Sequence, residues 1–174
     1  MSVDQQVTDN IESSAERKFV FATTVLALLL VIGGAAVNLA QAVGPYTWIA
    51  VGSALGGVSR YWISGVAARL IGETFPWGTL IVNILGSFAI GFFATLTGPD
   101  GRVYVGTMAR QFVMVGFCGG YTTFSSFSLQ TLNLIHDGEW IRAGANVGLS
   151  VVCCLFAVWG GHTLAAVLNS MKWI

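Results

Sequence analysis

Apolar and polar positions in this chain alternate in long blocks rather than residue by residue, and the blocks predict helices. A polar lead, residues 1–18, carries Asp4, Asp9, Glu12, Glu16, Arg17 and Lys18; mixed charge with little apolar content reads as a solvated, disordered tail. From Phe19 to Ser59 there is then no Asp, Glu, Lys or Arg, a run about twice the ~20 residues that one spanning helix needs. Gly44-Pro45 punctuates it into two helices. Later apolar blocks extend the series, giving core spans at Tyr46 to Leu70, Gly78 to Thr97, Ala109 to Ile135 and Ala143 to Leu168. The stretches between them, Glu73-Thr-Phe-Pro76, Gly98-Pro-Asp-Gly101 and His136-Asp-Gly-Glu139, each hold turn residues and a carboxylate. Connections this short make consecutive helices antiparallel neighbours. The chain thus divides into a tail (1–18), an extra N-terminal hydrophobic segment (19–43) and a four-helix core (44–174).

Composition sharpens this into an all-α membrane protein, since 55% of residues are hydrophobic and only 9% charged, against roughly 25% charged in a soluble domain. The run Phe19 to Gln41 is compatible with a signal-peptide core, a signal anchor or an additional spanning helix; its long acidic lead and its length, beyond the roughly 7 to 15 residues of a signal core, favour a retained helix. A net charge of zero gives no attraction to nucleic acid. Lys and Arg near the core spans are almost balanced: Arg102, Arg110 and Lys172 on one side face Arg69 and Arg142 on the other, and Arg17 and Lys18 join the second side if the leading segment spans. So little positive-inside bias leaves the chain free to insert both ways and to pair as an antiparallel dimer. Gly52 and Gly56, Gly116 and Gly120, and Gly144 and Gly148 stand at the interval that lets membrane helices approach closely.

The densest chemistry lies in Gly119-Gly-Tyr-Thr-Thr-Phe-Ser-Ser-Phe-Ser128, where two glycines, five Ser/Thr hydroxyls and two phenylalanines interrupt an apolar span. This pattern predicts a broken third helix, and non-helical backbone at membrane depth is tolerated only where it is buried in protein or lines a wet cavity. No Asp or Glu occurs in any core span, which speaks against proton-coupled transport; His162 alone is ionisable in the last span and reads as an interfacial hydrogen-bonding residue. Neither a nucleophile-base-acid set nor a metal-spaced cluster is present, and Cys118, Cys153 and Cys154 read as packing residues.

What the spans offer instead is neutral donors: Asn83 and Ser87 in the second, Thr122, Thr123, Ser125, Ser126 and Ser128 in the third, Asn146 and Ser150 in the fourth. Singly each reads as interhelical glue. Together beside a break they can replace the hydration shell of a small anion, and Phe124 and Phe127 can turn positive ring edges toward it. Carbonyls freed around Gly119 to Thr122 suit a hard cation such as sodium, with satisfaction by serines and a water as the alternative. Arg60, the one charge well inside an apolar segment, reads as structural, with a place at the mouth of a path as the second option.

Three stretches, Gly56-Gly-x-x-Arg60-Tyr61, Gly78-Thr-Leu-x-Val-Asn83-x-x-Gly86-Ser-Phe88 and Gly119 to Ser128, resemble the Fluc (CrcB) fluoride channels in order and spacing over about residues 48 to 168. The resemblance implies a four-helix subunit of the inner (plasma) membrane, crossing the lipid several times and pairing as an antiparallel homodimer with two paths for passive fluoride efflux. It implies fluoride contacts from Asn83, Phe124 and Phe127, a polar track that includes Thr123, Ser125, Ser126 and Ser150, and a structural central sodium on the Gly119 and Thr122 carbonyls. Two departures stand out: Gln130 replaces a common Glu, and the leading segment is additional. A small dual-topology exporter of organic cations is the alternative on size and charge balance, but it lacks the intramembrane Glu such exporters need; a non-transporting membrane scaffold is the third reading.

Overall fold

The computed structural model describes residues 3–171, with side chains from Thr23 onward except at 27, 36, 39 and 40; Lys172, one of the charges weighed for orientation, lies outside them. Among the described residues every regular element is helical: α1 (Val3–Ile71), α2 (Trp77–Leu96), α3 (Thr107–Gln111), a π-helical segment (Phe112–Cys118), α4 (Gly119–Tyr121), α5 (Phe124–His136) and α6 (Trp140–Ser170). By length and composition, α2 and α6 are apolar enough to cross a membrane.

Two compact units make up the chain, Met1–Gly44 and Pro45–Ile174. In the first, the described apolar side chains, such as Leu28, Leu30 and Val31, are exposed. Backbone is helical from Val3, through the polar lead expected to be disordered and through Gly44-Pro45, expected to end one span. Pro45 lacks an N–H and so removes one helical hydrogen bond, a loss that apolar helices tolerate. The division between the units still falls at this dipeptide.

In the second unit the last three expected spans appear within a few residues of their predicted ends, and the first ends at Ile71 as expected but has no start of its own near Tyr46. Turns close them as the sequence requires: Gly72 and Gly138 take positive φ of 95° and 78°, a region open to glycine at little cost. The core is thin, with Leu80, Val82, Tyr121, Phe127 and Ala165 buried. Close approach of backbones holds it together. A methyl on Gly52 would stand 2.5 Å from the Phe112 carbonyl oxygen and 3.0 Å from Gly116 Cα, and one on Gly120 would stand 2.5 Å from the Ser53 oxygen. The pairs Gly52/Gly56 and Gly116/Gly120 thus form one seam between α1 and the third span. Gly144 and Gly148 behave differently, since a methyl at either meets nothing within 4 Å.

At the far end of α2 a polar clasp ties it to α6. Thr95 Oγ1 lies 2.9 Å from the Gly91 oxygen and 2.8 Å from His162 Nδ1, within hydrogen-bond distance of both. Asn169 Nδ2 donates to the Thr95 oxygen (3.0 Å) and Asn169 Oδ1 accepts from the Arg102 amide (3.0 Å). His162 is thus an interhelical hydrogen-bonding residue, as its position suggests.

Candidate functional site

The third span breaks at Thr122 and Thr123, three residues beyond the glycines that the sequence marks. Gly119 keeps helical angles (φ −64°, ψ −37°), because the helical seam needs its neighbour Gly120 against Ser53. Thr122 and Thr123 are extended, at φ −83°, ψ 158° and φ −152°, ψ 119°. Extended β-branched residues suit this conformation.

Each end of the gap is closed by side chains. Thr122 Oγ1 and Thr122 N both donate to the Cys118 oxygen (2.9 and 3.0 Å). Thr123 N-caps α5, its Oγ1 accepting from Ser126 N at 3.1 Å. Across the gap, Asn83 of α2 makes two bonds to one residue: Nδ2 donates to the Thr123 oxygen (3.0 Å) and Oδ1 accepts from Thr123 N (2.8 Å).

These bonds have a consequence for the carbonyls. In an unbroken helix the Gly119 oxygen would accept from Thr123 N and the Thr122 oxygen from Ser126 N. Both donors are committed elsewhere, to Asn83 Oδ1 and to Thr123 Oγ1. Gly119 and Thr122 therefore lose their regular helical donors, and both line the adjoining cavity. Oxygen donors of this kind fit a hard monovalent cation.

The cavity, of about 490 Å³, is lined by Asn83, Ser87, Thr123, Phe124, Phe127 and Ser150 together with apolar residues of α2 and α6. It holds no charged side chain on its wall. Ser150 is 8% exposed, and its Oγ has no hydrogen-bond partner. The rings of Phe124 and Phe127 lie 5.2 Å apart, tilted by 48°; Phe127 is buried whereas Phe124 is 78% exposed, so one flank of the site is open.

The family profile described as CrcB-like protein, Camphor Resistance (CrcB), matches residues 47–162. The chain belongs to the CrcB family. A relative in Methylocella silvestris is 61% identical over 127 residues, which cover 73% of this chain and 97% of that relative. Relatives in Opitutus terrae (64% over 127 residues; 73% and 96%) and Rhodospirillum rubrum (61% over 124 residues; 71% and 96%) are similar. All three carry the name Fluoride-specific ion channel FluC. The family match places the chain among membrane proteins and falls wholly within the second unit.

Of the residues singled out in this CrcB sequence, Asn83, Thr123, Phe124, Phe127, Ser150, Gly119 and Thr122 converge on the cavity. Ser125 and Ser126 do not line it; their hydroxyls lie 3.1 and 3.2 Å from Thr123 Oγ1. Arg60 is half-buried in α1, away from the cavity wall. Asn146, 1% exposed, donates to Thr131 Oγ1 at 2.8 Å and serves as interhelical glue. Gln130 Oε1 is buried without a partner, as is Gln111 Oε1.

Two features escaped the sequence reading. The π-helical turn Phe112–Cys118 leads directly into the break, a common companion of functional sites, and has no residue signature of its own. Cys118 and Cys154, read as packing residues, both stand on the cavity wall.

Proposed function

We propose that this CrcB protein is a fluoride-selective channel that carries fluoride passively out of the cell and so lowers cytoplasmic fluoride. One observation carries the reading: an uncharged cavity beside a helix break gathers an amide, hydroxyls and two phenylalanine rings, and one of those hydroxyls, on Ser150, is buried without a protein partner. The names of the relatives agree with it.

In this reading fluoride exchanges water for Ser150 Oγ–H, the second N–H of Asn83 and the ring edges of Phe124 and Phe127. Asn83 has one Nδ2 hydrogen left after its bond to Thr123, so it donates once while it holds the break in shape. Thr123 keeps the cavity wall polar, and Ser125 and Ser126 act through it. A structural sodium on the Gly119 and Thr122 carbonyls supplies positive field to a neutral path; the commitment of their helical donors elsewhere supports this.

The assembly that fits is an antiparallel homodimer crossing the plasma membrane several times. Its support is the charge balance, the open flank at Phe124 and the bare faces of Gly144 and Gly148. A second copy closes the cavity and can supply the other half of the sodium shell. Arg60 then acts in the structure of α1 or near the mouth.

The test is fluoride efflux from liposomes holding the purified protein, read with a fluoride electrode. Efflux should be fast, independent of a proton gradient except through voltage, and far above chloride flux. Chloride flux of similar size overturns the selectivity, and drug-driven proton movement would point to an exporter.

A further inference from the structure

Helix α2 meets the break at two points. Asn83 grips the backbone of Thr123, and Gly86, three positions along on the same face, is buried against Thr122. A methyl on Gly86 would overlap Thr122 Cγ2, while standing 3.1 Å from Tyr121 Cδ1 and at an ordinary 3.7 Å from Thr122 Cβ. The main obstacle is therefore one group, the methyl of Thr122. It does not swing clear freely, because a β-branched side chain has few χ1 rotamers and Thr122 Oγ1 is tied to the Cys118 oxygen at 2.9 Å.

We propose that Gly86 and the Thr122 methyl form a socket that positions the ion path by holding the Thr122 carbonyl at the cavity; this rests on the reading of the cavity as that path. Gly86 is a positioning residue, since it offers an ion no side-chain donor and acts through Thr122. Three points fix the break. The Thr122 hydroxyl is held by the Cys118 oxygen, its methyl by the hollow at Gly86, and the next residue by Asn83. With both branches of the side chain held, the extended backbone at φ −83°, ψ 158° is held too, and with it the direction of the Thr122 C=O. The requirement for threonine at 122 follows: serine would keep the bond to Cys118 and leave the hollow empty, whereas valine would fill the hollow and lose the bond.

A second tight glycine of α2 supplies the contrast. A methyl on Gly91 would overlap the Val158 carbonyl oxygen, which is backbone of α6 that no exchange at residue 122 relieves.

The experiment moves one methyl from residue 122 to residue 86 in the full chain, reconstituted in liposomes with fluoride efflux read by electrode. Gly86→Ala should cut efflux at least about tenfold by overpacking, and Thr122→Ser should cut it by a smaller factor through the void it leaves. In the double variant the alanine methyl takes the place of the missing one, so efflux should recover to within about threefold of the parent instead of falling further. Thr122→Ser should bring no recovery to Gly91→Ala. Parent-like efflux in Gly86→Ala, a double variant no better than Gly86→Ala, or rescue of Gly91→Ala overturns the socket. Where Gly86→Ala yields no folded protein, recovery of folded, conducting protein on adding Thr122→Ser supports the socket, and failure to recover refutes it. Melting temperature in detergent follows the same four variants without transport. Recovered melting temperature without recovered efflux would reduce the contact to packing and overturn the positioning role. A parent chain that conducts no fluoride, in a series where the double variant still regains its melting temperature, would sink the channel reading and leave the socket standing.

Discussion

At the scale of single residues, the polar groups of the site separate by whether they have a partner. Asn83 is held by two bonds to Thr123 with one Nδ2 hydrogen to spare, and Ser150 is not engaged at all. Asn83→Asp should therefore remove a donor and add charge, abolishing fluoride efflux and lowering stability by about 1–3 kcal/mol through the unsatisfied Thr123 carbonyl; thermal unfolding in detergent measures the second effect. Ser150→Ala should instead leave stability within about 0.5 kcal/mol of the parent while slowing efflux. An equal loss of stability in both variants would make Ser150 glue rather than path. Phe124→Leu should also fold normally, since that ring is largely exposed, yet lose most of its flux with the ring edge. The sequence made the types of these residues plain and hid their pairing. Nothing local to Asn83 says that one of its two N–H groups is spent on a backbone carbonyl in another helix, and nothing local to Ser125 and Ser126 says that they bond to Thr123 instead of facing the cavity.

At the scale of elements, the core spans were legible because carboxylates fall only outside them, beside turn residues: Gly78 to Thr97 was expected and Trp77–Leu96 is found. The break was legible in kind and displaced in place. Glycine marked it, but Gly120 stays helical to admit Ser53, and the adjacent threonines carry the extended backbone. The π turn was not legible, because its register depends on the seam with α1. That seam gives a paired prediction for two neighbouring glycines. A methyl on Gly56 meets the Phe117 carbonyl and Tyr121 N, whereas one on Gly57 meets nothing within 4 Å. Gly56→Ala should lower the melting temperature and the yield of monodisperse protein, and Gly57→Ala should lower neither. Equal sensitivity would mean that the seam is misplaced.

At the scale of the whole molecule, the near balance of Lys and Arg is a property that no single helix carries. Asp100 and Asp137 are exposed in loops at opposite ends of the core. Asp100→Lys should bias insertion one way and Asp137→Lys the other. Each variant alone should protect cells poorly against fluoride, and co-expression should restore protection; full protection by either alone would argue against the antiparallel pair. Assembly also has an order imposed by the break. Asn83 and Thr123 are 40 positions apart, so the latch cannot close until α2 has docked against the third span. Until then the Thr123 N–H and C=O have no partner, and lipid offers none. A newly inserted chain thus holds its third helix in an unfinished state, and the shape of the break is the last to be set, as a product of tertiary docking rather than of helix formation.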